Sequence, residues 1–427
     1  MKAGAGTQVI TPPVGTSLAG YFHDRVSTAV HDDLLAKALV LDNGKAKVAI
    51  VVCDLLWLQG DQVAKVRETA SRATGIPAES IMISCTHTHT GPEARVARPM
   101  VPINEAYMDR LPQLIADSII RASENLRPAV LRLGEEYEGR ISFNRRFLMK
   151  DGRVAFNPGK MNPDIIGPVG PTDPQLNVLR VDGEDGSPMA ILINFSMHPD
   201  VMTGCEISAD FPGECSRIVS SLYESKPMVV YMQGACGNLN QLDVSTTVNQ
   251  NGWQEVTRIS RVLAGKTLAA SELSEPMDCE DLGSISRKVG IKYHPLTEEL
   301  KAKAEETRKK ANPNDFEKAQ AELIADYRLD GKSADVELQA IRIGDTAVVG
   351  IPGEYFVEYG LSIKEWSPFD QTFIAELAND TFGYIPILDA FYPGTYETMP
   401  ILSANLEPSA GIQMANEAGK MLRELAG

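Results

Sequence analysis

Short runs of apolar residues in the first half of the chain predict buried β-strands. The runs occupy residues 9–10, 34–41 and 48–52, and Asp42-Asn43-Gly44 between the last two predicts a hairpin turn. Two further runs, at 129–133 and 189–195, also have the length and composition of strands. In the second half of the chain, residues 336–351 predict strand structure.

Two segments, 60–76 and 104–126, have the apolar spacing of amphipathic helices. Another helix is expected near 354–365. Because strands and helices alternate, the sequence predicts an α/β fold in which mixed β-sheets are layered with helices. We expect one domain over residues 1–427.

Two stretches interrupt this pattern. Residues 297–329 are densely charged and predict a helical insertion that lies solvated on the surface, with Pro313 dividing it into two helices. Residues 147–173 are rich in proline and glycine, which predicts a long irregular loop. Because this loop also contains Met149, Phe156 and Met161, we expect it to form a lid or a wall of a substrate site.

The balance of charges excludes some partners. Lys and Arg number 41 against 57 Asp and Glu, so the net charge is −16. A surface this acidic is expected to bind neither nucleic acid nor an anionic membrane. The longest apolar stretch, 48–58, is too short to cross a bilayer, so no membrane insertion is expected.

Other features bear on the compartment. The N-terminus lacks the apolar core of a signal peptide, and the six cysteines show no C-x-x-C spacing, which predicts free thiols. We therefore expect a cytoplasmic protein with a small-molecule substrate, for which a homo-oligomer stays open. A mature secreted chain without its leader would have the same N-terminus.

Two of the six histidines, His87 and His89, follow the apolar residues 80–83. Residues i and i+2 of an extended chain project from the same face, so the two imidazoles are expected to point the same way. His198 follows the predicted strand at 189–195 and offers a third imidazole. Such a group is typical of a metal site at strand ends. Hydrogen-bonded surface or structural histidines are the alternative.

Glu354 is the clearest carboxylate candidate, because it lies where a strand is expected to turn into a helix. The alternative is a carboxylate that complements a helix dipole. Two histidines and a carboxylate suit a catalytic zinc ion, but they also suit the iron of a non-haem Fe(II) oxygenase. An amidohydrolase barrel also begins with H-x-H after a strand, yet it needs more histidines than this chain offers. Asp54 is expected to accept a hydrogen bond from a ligand histidine or to make a purely structural one.

These residues belong to a series of motifs that resembles the neutral/alkaline non-lysosomal ceramidases, zinc-dependent hydrolases of the amide bond in N-acylsphingosine. The most specific motif is H-T-H-T-G-P at residues 87–92. The resemblance extends to about residue 407, in the family's order. Its other motifs are Ala3-Gly4-Ala5-Gly6, Ile10-Thr11-Pro12-Pro13, His31-Asp32-Asp33-Leu34, Asn144-Arg145, Asn194-Phe195, His198-Pro199, Pro352-Gly353-Glu354, Gly383-Tyr384 and Tyr396.

The resemblance implies roles for seven residues. Those implied to hold Zn²⁺ are His87, His198, Glu354 and Tyr384, and those implied to face the substrate are His89, Arg145 and Tyr396. We expect metal-bound water to attack the carbonyl of an N-acyl amide, and His89 to carry the proton to the leaving amine. Tyr396, with Arg145 or protonated His89, would stabilise the oxyanion.

One departure from the family concerns the nucleophile. Asn240 occupies the position where the family has a serine assigned as a nucleophile. An amide cannot form an acyl-enzyme, so we expect the metal-bound water to be the nucleophile, or the chemistry to differ. Cys236 is near in sequence, but no base or cation is expected beside it. A catalytically idle relative that only binds ligand is the alternative.

Two other departures concern the substrate. Glu93-Ala94 replaces two glycines after the histidines, which is expected to put a carboxylate at the pocket mouth. The family's immunoglobulin-like C-terminal domain has no counterpart before Gly427. We therefore expect a substrate smaller or more polar than a membrane lipid, and Glu93 would favour one that bears an amine.

Overall fold

The structure is a computed structural model, and it describes residues 1–95, 101–392 and 394–427. Within these ranges the chain forms eight α-helices, which alternate with strands along the sequence. The helices are α1 (Gly60–Thr74), α2 (Glu105–Glu124), α3 (Asp210–Ser221), α4 (Trp253–Glu272), α5 (Glu298–Lys309), α6 (Asp315–Asp326), α7 (Val357–Trp366) and α8 (Ala410–Ala426).

The strands of the same ranges vary from two to eleven residues. They are β1 (Lys2–Val9), β2 (Ala29–Val30), β3 (Leu35–Asp42), β4 (Lys47–Cys53), β5 (Ile81–Cys85), β6 (Arg127–Tyr137), β7 (Phe143–Asn144), β8 (Arg146–Met149), β9 (Val154–Phe156), β10 (Ile165–Pro168), β11 (Gln175–Gly183), β12 (Pro188–Phe195), β13 (Glu206–Ile207), β14 (Met228–Gln233), β15 (Leu239–Asn240), β16 (Glu275–Pro276), β17 (Leu282–Lys292), β18 (Ser333–Ile343), β19 (Thr346–Ile351), β20 (Glu354–Tyr355), β21 (Gln371–Glu376) and β22 (Tyr384–Ile385).

The largest sheet has nine strands in the order β14-β12-β11-β6-β1-β3-β4-β5, with β16 paired to β6. Only Lys2 and Ala3 join β1 to β6, and the edge strands β14 and β5 contact each other, so the sheet bends sharply. The second sheet has the order β17-β18-β19-β21, and β21 contacts both β14 and β5. The ends of strands from both sheets are thereby brought together.

The two sheets pack face to face, and helices cover their outer faces. Side chains such as Leu39 and Ile50 from one sheet, and Ile341 and Phe373 from the other, share one apolar core. Helices α1 to α4 cover the larger sheet, and α7 and α8 cover the smaller one. The predicted α/β fold of mixed sheets layered with helices is confirmed. In the described ranges, each helix is too short or too polar to cross a membrane.

Most predicted elements are confirmed with shifted bounds. The hairpin joins β3 and β4 through Gly44 at a φ of 83°, and Asn43 accepts hydrogen bonds across the turn. The predicted helices correspond to α1, α2 and α7. The strand predicted at 9–10 is wrong, because β1 ends at Val9 and is built mainly from small residues with little hydrophobic signal. The strand structure predicted at 336–351 is confirmed as β18 and β19, which a turn at Gly344 separates.

Residues 147–173 are not the irregular loop that their proline and glycine content predicts. Strands β8, β9 and β10 lie within or beside this stretch and pair antiparallel in the order β10-β8-β9. The prolines do not prevent pairing, because Pro168 lies at the end of an edge strand.

The charged segment at 297–329 forms α5 and α6, and the predicted break near Pro313 is confirmed. Asn314 caps α6 and forms a capping box with Glu317. Leu300, Ala304 and Ile324 are among the apolar residues packed in a small core of this helical hairpin. The hairpin is therefore more than the solvated surface feature that its charge predicts.

Close contact between α2 and β1 depends on two glycines. A Cβ on Gly4 or Gly6 would collide with the backbone carbonyl oxygen of Ala122 or Ser118. Both carbonyls belong to residues of α2, so an added Cβ would force the helix away from β1. The Ala3-Gly4-Ala5-Gly6 motif therefore determines how closely the first helical layer approaches the larger sheet.

We expect Gly6→Ala to lower the free energy of unfolding by about 1–3 kcal/mol, because the added methyl group forces α2 away from β1. Gly265→Ala in α4 is the matched control, since a Cβ there meets no atom within 4 Å. Thermal and urea denaturation of both variants measures the difference. Equal stability of the two variants would contradict this account of the contact.

Candidate metal centre

Three segments that follow strand ends carry candidate metal ligands. His87 lies two residues after β5, His198 lies three residues after β12, and Glu354 begins β20 shortly after β19. The bend in the larger sheet, together with the position of β21 against β5 and β14, brings these segments together. Residues that are far apart in sequence thus share one buried site.

The imidazoles of His87 and His198 face each other through their Nε2 atoms, which lie 3.1 Å apart. His87 Nδ1 lies 3.0 Å from the carbonyl oxygen of Leu56, and His198 Nδ1 lies 3.4 Å from that of Cys236. A carbonyl can only accept, so each Nδ1 carries a proton and each Nε2 is directed at the other imidazole. If both Nε2 atoms are unprotonated, their facing lone pairs repel each other unless a cation lies between them.

The backbone at His87 differs from the extended geometry predicted for the H-x-H motif. β5 ends at Cys85, and His87 has a φ of 70°. A left-handed conformation costs a non-glycine residue about 1–3 kcal/mol and persists where surrounding contacts hold it. Here the His87 N–H donates to the carbonyl oxygen of Leu55 at 2.9 Å. The imidazoles of His87 and His89 still lie side by side, with ring centroids 5.0 Å apart.

Glu354 supplies a carboxylate oxygen beside the two Nε2 atoms. Its Oε2 lies 3.3 Å from Nε2 of His87 and 3.8 Å from Nε2 of His198. Among the described residues, this buried oxygen accepts no hydrogen bond of good geometry. Burial raises the pKa of Glu354, but nearby His87, Tyr384 and Arg145 outweigh burial and hold it below the ordinary value. Burial and the neighbouring cationic groups lower the pKa of His198, so its imidazole is neutral.

These three residues fit a zinc ion. Ligands about 2.0–2.2 Å from a tetrahedral zinc ion lie about 3.3–3.6 Å from one another. The observed separations between the donor atoms, 3.1, 3.3 and 3.8 Å, are close to these ligand-to-ligand distances. The ionised carboxylate and a neutral imidazole are also the protonation states that bind metal. The arrangement leaves at least one coordination position for water or substrate.

His89 completes a cluster of three imidazoles whose nitrogen atoms lie within 4.8 Å of one another. Its side chain is 8 % exposed, against 1 % for His87 and 2 % for His198, and it lines the adjacent cavity. Gly20, at a φ of 99°, leaves room for this ring, because a Cβ there would collide with Nδ1. His89 therefore lies beside the two facing imidazoles and in contact with the cavity.

Arg145, Tyr384 and Tyr396 form a second buried group next to Glu354. The Tyr384 and Tyr396 hydroxyl oxygens lie 2.5 Å apart, and Arg145 Nη2 donates to the Tyr396 hydroxyl at 3.0 Å. Arg145 is held by Glu397 at 3.1 Å and by the Gly237 carbonyl at 2.7 Å. Burial raises the pKa of both tyrosines, so their hydroxyls stay protonated. The group can donate hydrogen bonds to a developing negative charge.

A cavity of about 350 Å³ opens beside these groups. His89, His198, Arg145 and Tyr396 line it on one side. Larger grooves lie elsewhere, including one of about 970 Å³ along α1, but the described residues that line that groove include no histidine. The cavity next to the imidazoles is therefore the candidate substrate site. Three phenylalanines extend its wall, namely Phe22, Phe156 and Phe316.

The structure decides between the two alternatives for Asp54 and corrects the position predicted for Glu93. Asp54 does not accept from a ligand histidine: its Oδ2 accepts from the Leu35 N–H at 3.0 Å, and the carbonyl of Leu56 takes the proposed role. Glu93 does not lie at the pocket mouth, because it is buried and accepts from the Trp57 indole at 2.9 Å. The described residues that line the cavity do not include Glu93. It therefore cannot select an amine-bearing substrate.

Neither Asn240 nor Cys236 is placed to act as a nucleophile. Asn240 lines the cavity, but its side chain donates to Asn157 at 3.2 Å and accepts from the Leu242 N–H at 3.1 Å. The Cys236 thiol donates to Glu376 at 2.9 Å, and burial together with this carboxylate raises its pKa well above the ordinary value. All six cysteines are free thiols in the structure.

Several residues of the site carried no recognised signal in the sequence. Phe316 belongs to α6 of the charged hairpin, yet its ring lies 5.7 Å from that of Tyr396 and 4.8 Å from that of Phe22. Phe156 of β9 confirms that the segment at 147–173 contributes to the wall of the cavity. Asp200 and Glu376 were also missed, although each follows or ends a buried strand as Glu354 does. The signal that identified Glu354 could therefore have found them.

Comparisons with known proteins agree with these observations. A family model described as "Neutral/alkaline non-lysosomal ceramidase, N-terminal" matches residues 1–252. Two curated relatives come from Arabidopsis thaliana. Neutral ceramidase 3 is 24 % identical over a match that covers 61 % of this chain and 34 % of that relative. Neutral ceramidase 1 is also 24 % identical, and its match covers 52 % of this chain and 29 % of that relative. The chain thus spans about a third of the length of these relatives.

Solved structures show the same fold. The neutral ceramidase from Pseudomonas aeruginosa has a TM-score of 0.78 at 20 % identity, with 99 % of this chain and 74 % of that chain covered. A ceramidase complexed with C2 has a TM-score of 0.79 at 19 % identity, and the match covers 100 % of this chain and 75 % of that chain. Because the family model matches more than half of the chain and includes His87, His89, Arg145 and His198, the protein belongs to the neutral/alkaline non-lysosomal ceramidase family.

Proposed function

We propose that this protein is a zinc-dependent hydrolase of an N-acyl amide bond. The observation that carries the proposal is the buried group of His87, His198 and Glu354, whose donor atoms converge beside an open cavity. Membership of the ceramidase family agrees with this chemistry. A bound zinc ion would supply a Lewis acid and an activated water molecule as the nucleophile.

The ligand residues are already oriented for this role. The carbonyls of Leu56 and Cys236 orient the two imidazoles with their Nε2 atoms toward Glu354. The Tyr384 hydroxyl lies within hydrogen-bond reach of the Glu354 carboxylate, as the lowered pKa of Glu354 reflects. We propose His87, His198 and Glu354 as the ligands, with Tyr384 as a looser contact to the same ion.

Tyr396 and Arg145 are proposed to stabilise the oxyanion that forms when the amide carbonyl is attacked. Both reach the cavity, and Arg145 already donates to the Tyr396 hydroxyl. The ion pair between Arg145 and Glu397 holds the guanidinium in place before substrate arrives. Fixed donors of this kind stabilise a transition state without having to reorganise during the reaction.

His89 is proposed to carry the proton to the leaving amine. It lies beside both His87 and His198, with ring centroids 5.0 and 5.1 Å away, and it faces the cavity. Tyr396 also lines the cavity, where it is paired with Arg145. A substrate amide would therefore lie with its carbonyl oxygen toward Tyr396 and its nitrogen toward His89.

The cavity supports a smaller substrate than N-acylsphingosine. Its volume of about 350 Å³ is near the lower end for ligand pockets, which range over about 300–1,000 Å³. Phe156 packs against Tyr396 with ring centroids 4.7 Å apart, and the Phe316 ring lies 5.7 Å from that of the same tyrosine. We propose that these rings contact the acyl group, which enters on the side of the oxyanion donors.

Two other functions use parts of the same site. A non-haem iron oxygenase would use the two histidines and the carboxylate, and would need iron and dioxygen. The buried donor pair of Tyr396 and Arg145 favours hydrolysis, because it suits an oxyanion. A catalytically idle relative was considered because of Asn240. Attack by water needs no side-chain nucleophile at that position, so Asn240 is compatible with an active hydrolase.

We expect the purified wild-type protein to contain about one zinc ion per chain, and His198→Ala to lose it, because that change removes one of three close ligands. Elemental analysis by mass spectrometry measures the metal. His31→Ala is the matched control, since His31 lies outside the cluster and pairs with Asp32 at 2.9 Å.

The same measurement on His89→Ala separates its two roles. A proton carrier leaves the zinc content unchanged and lowers kcat by about 10²–10⁴-fold. Loss of zinc from His89→Ala would make His89 a ligand instead. Retention of both zinc and amide hydrolysis by His198→Ala would show that the proposed centre is wrong, and iron with oxygen-dependent turnover would favour the oxygenase.

Tyr396→Phe is expected to lower kcat for amide hydrolysis by about 10²–10³-fold while zinc content stays unchanged, because it removes one oxyanion donor. Steady-state kinetics over a panel of N-acyl amides measures the effect. Tyr392→Phe is the control, because this nearby tyrosine is 92 % exposed. Equal kcat in the two variants would remove Tyr396 from the proposed mechanism.

Phe316→Ala is expected to raise KM by about 10-fold for amides with apolar acyl groups, because one aromatic contact is lost. The KM for an acetyl amide should change less, since an acetyl group is too short to reach this ring. Leu329→Ala, at an exposed apolar residue beyond the end of α6, provides the comparison. An effect that is the same for all acyl lengths would contradict contact between Phe316 and the acyl group.

A further inference from the structure

One part of the cavity wall is polar and carries one negative charge. Asp200 is the one carboxylate among the described residues that line the cavity. The remaining polar lining there is neutral and comes from side chains that both donate and accept, including Thr203, Asn240, Gln241 and Asn251. A ligand group bound on this side therefore meets a carboxylate surrounded by hydrogen-bonding groups.

Asp200 is held in a defined position. The Tyr21 hydroxyl donates to Oδ1 at 2.6 Å, and Gln241 donates to the Asp200 carbonyl at 3.1 Å. The side chain is 30 % exposed, and no hydrogen bond to Oδ2 is made within the described part of the chain. Oδ2 is thus available to a ligand, while Oδ1 is engaged by Tyr21.

The charge of Arg25 acts on Asp200, but the two side chains form no salt bridge in the described part of the chain. The Arg25 guanidinium stacks on the Tyr21 ring, 4.0 Å from its centroid. Its hydrogen bonds go to the backbone carbonyls of Ala19, His89 and Gly204. Arg25 therefore fixes the Tyr21 ring that orients Asp200, and it leaves the carboxylate facing the cavity.

Asp200 also lies on the side where the leaving amine is expected. Its Oδ1 is 3.8 Å from Nδ1 of His89, the proposed proton carrier. The oxyanion donor Tyr396 and the apolar rings of Phe156 and Phe316 lie together on the acyl side. The amine half of a substrate would therefore extend along Asp200 and the neutral amides beside it.

We propose that Asp200 selects substrates whose amine half carries a second, protonated amino group, so that the substrate is an N-acyl diamine. This inference rests on the proposed function and specifies its substrate class. The ammonium group would donate to Oδ2 of Asp200, and the acyl group would lie against the phenylalanines. The carboxylate that the sequence suggested at Glu93 is thus supplied by Asp200.

The test uses three amides with one acyl group: N-acyl-1,4-diaminobutane, the neutral N-acyl pentylamine, and the anionic N-acyl 4-aminobutyrate. Assays at about pH 8 keep the free amino group protonated. We expect wild-type kcat/KM to be about 10- to 100-fold higher for the cationic amide than for the neutral one, the effect of one charge-assisted hydrogen bond. The anionic amide should be the poorest substrate.

Asp200→Asn should reduce the ratio of cationic to neutral kcat/KM to about one, because the shape is kept and the charge is lost. Tyr21→Phe, which removes the hydroxyl that positions Oδ1, should reduce the ratio partly. Asp24→Asn, at an exposed carboxylate, should keep the wild-type ratio. A wild-type preference for the neutral or anionic amide, or an unchanged ratio in Asp200→Asn, would overturn the inference.

Binding of the amine product separates this inference from the proposed function. We expect calorimetry to show that 1,4-diaminobutane binds the zinc-loaded protein more tightly than butylamine does, and that Asp200→Asn removes the difference. Such binding without hydrolysis of any amide would reject the hydrolase and retain the cation site. Amide hydrolysis with no difference between the two amines would reject only the cation site.

Discussion

A buried, ionised carboxylate beside two imidazoles is the interaction on which the site depends. Removing an unpaired charge from water costs several kcal/mol, so Glu354 can remain ionised only with cationic or donor groups around it. His87, Tyr384 and Arg145 provide these surroundings, and they hold the pKa of Glu354 below its ordinary value. A metal ion where the carboxylate and the two facing Nε2 atoms converge would satisfy all three together.

The fold maintains this convergence by joining rigid elements. The bend at β1 and β6 brings β5 and β14 together, and β21 of the second sheet contacts both. His87 is held at a positive φ by the hydrogen bond of its N–H to Leu55, and the Leu56 carbonyl orients its ring. Helix α2 packs directly on the glycines of β1, so little space remains between this helix and the larger sheet. The imidazoles are therefore positioned before any ligand binds.

The wall of the cavity comes from segments outside the main sheets. Phe156 belongs to the three-stranded sheet within 146–168, and Phe316 belongs to the charged helical hairpin. Their rings lie against Tyr396, while Asp200 and Tyr21 line another part of the cavity wall. The catalytic chemistry and the choice of substrate thus depend on different parts of the chain. Changes in these outer segments could alter the substrate without disturbing the metal centre.

The sequence by itself determined the layered α/β fold, the hairpin at 42–44, most helices and the residues most suited to a metal, because these depend on local periodicity, turn chemistry and side-chain type. It also led to His87, His198 and Glu354, since each follows an apolar strand. Only the tertiary structure decided that Glu93 is sealed against Trp57 while Asp200 faces the cavity. Which carboxylate is buried and which is available depends on contacts between residues distant in sequence, and periodicity carries no information about such contacts.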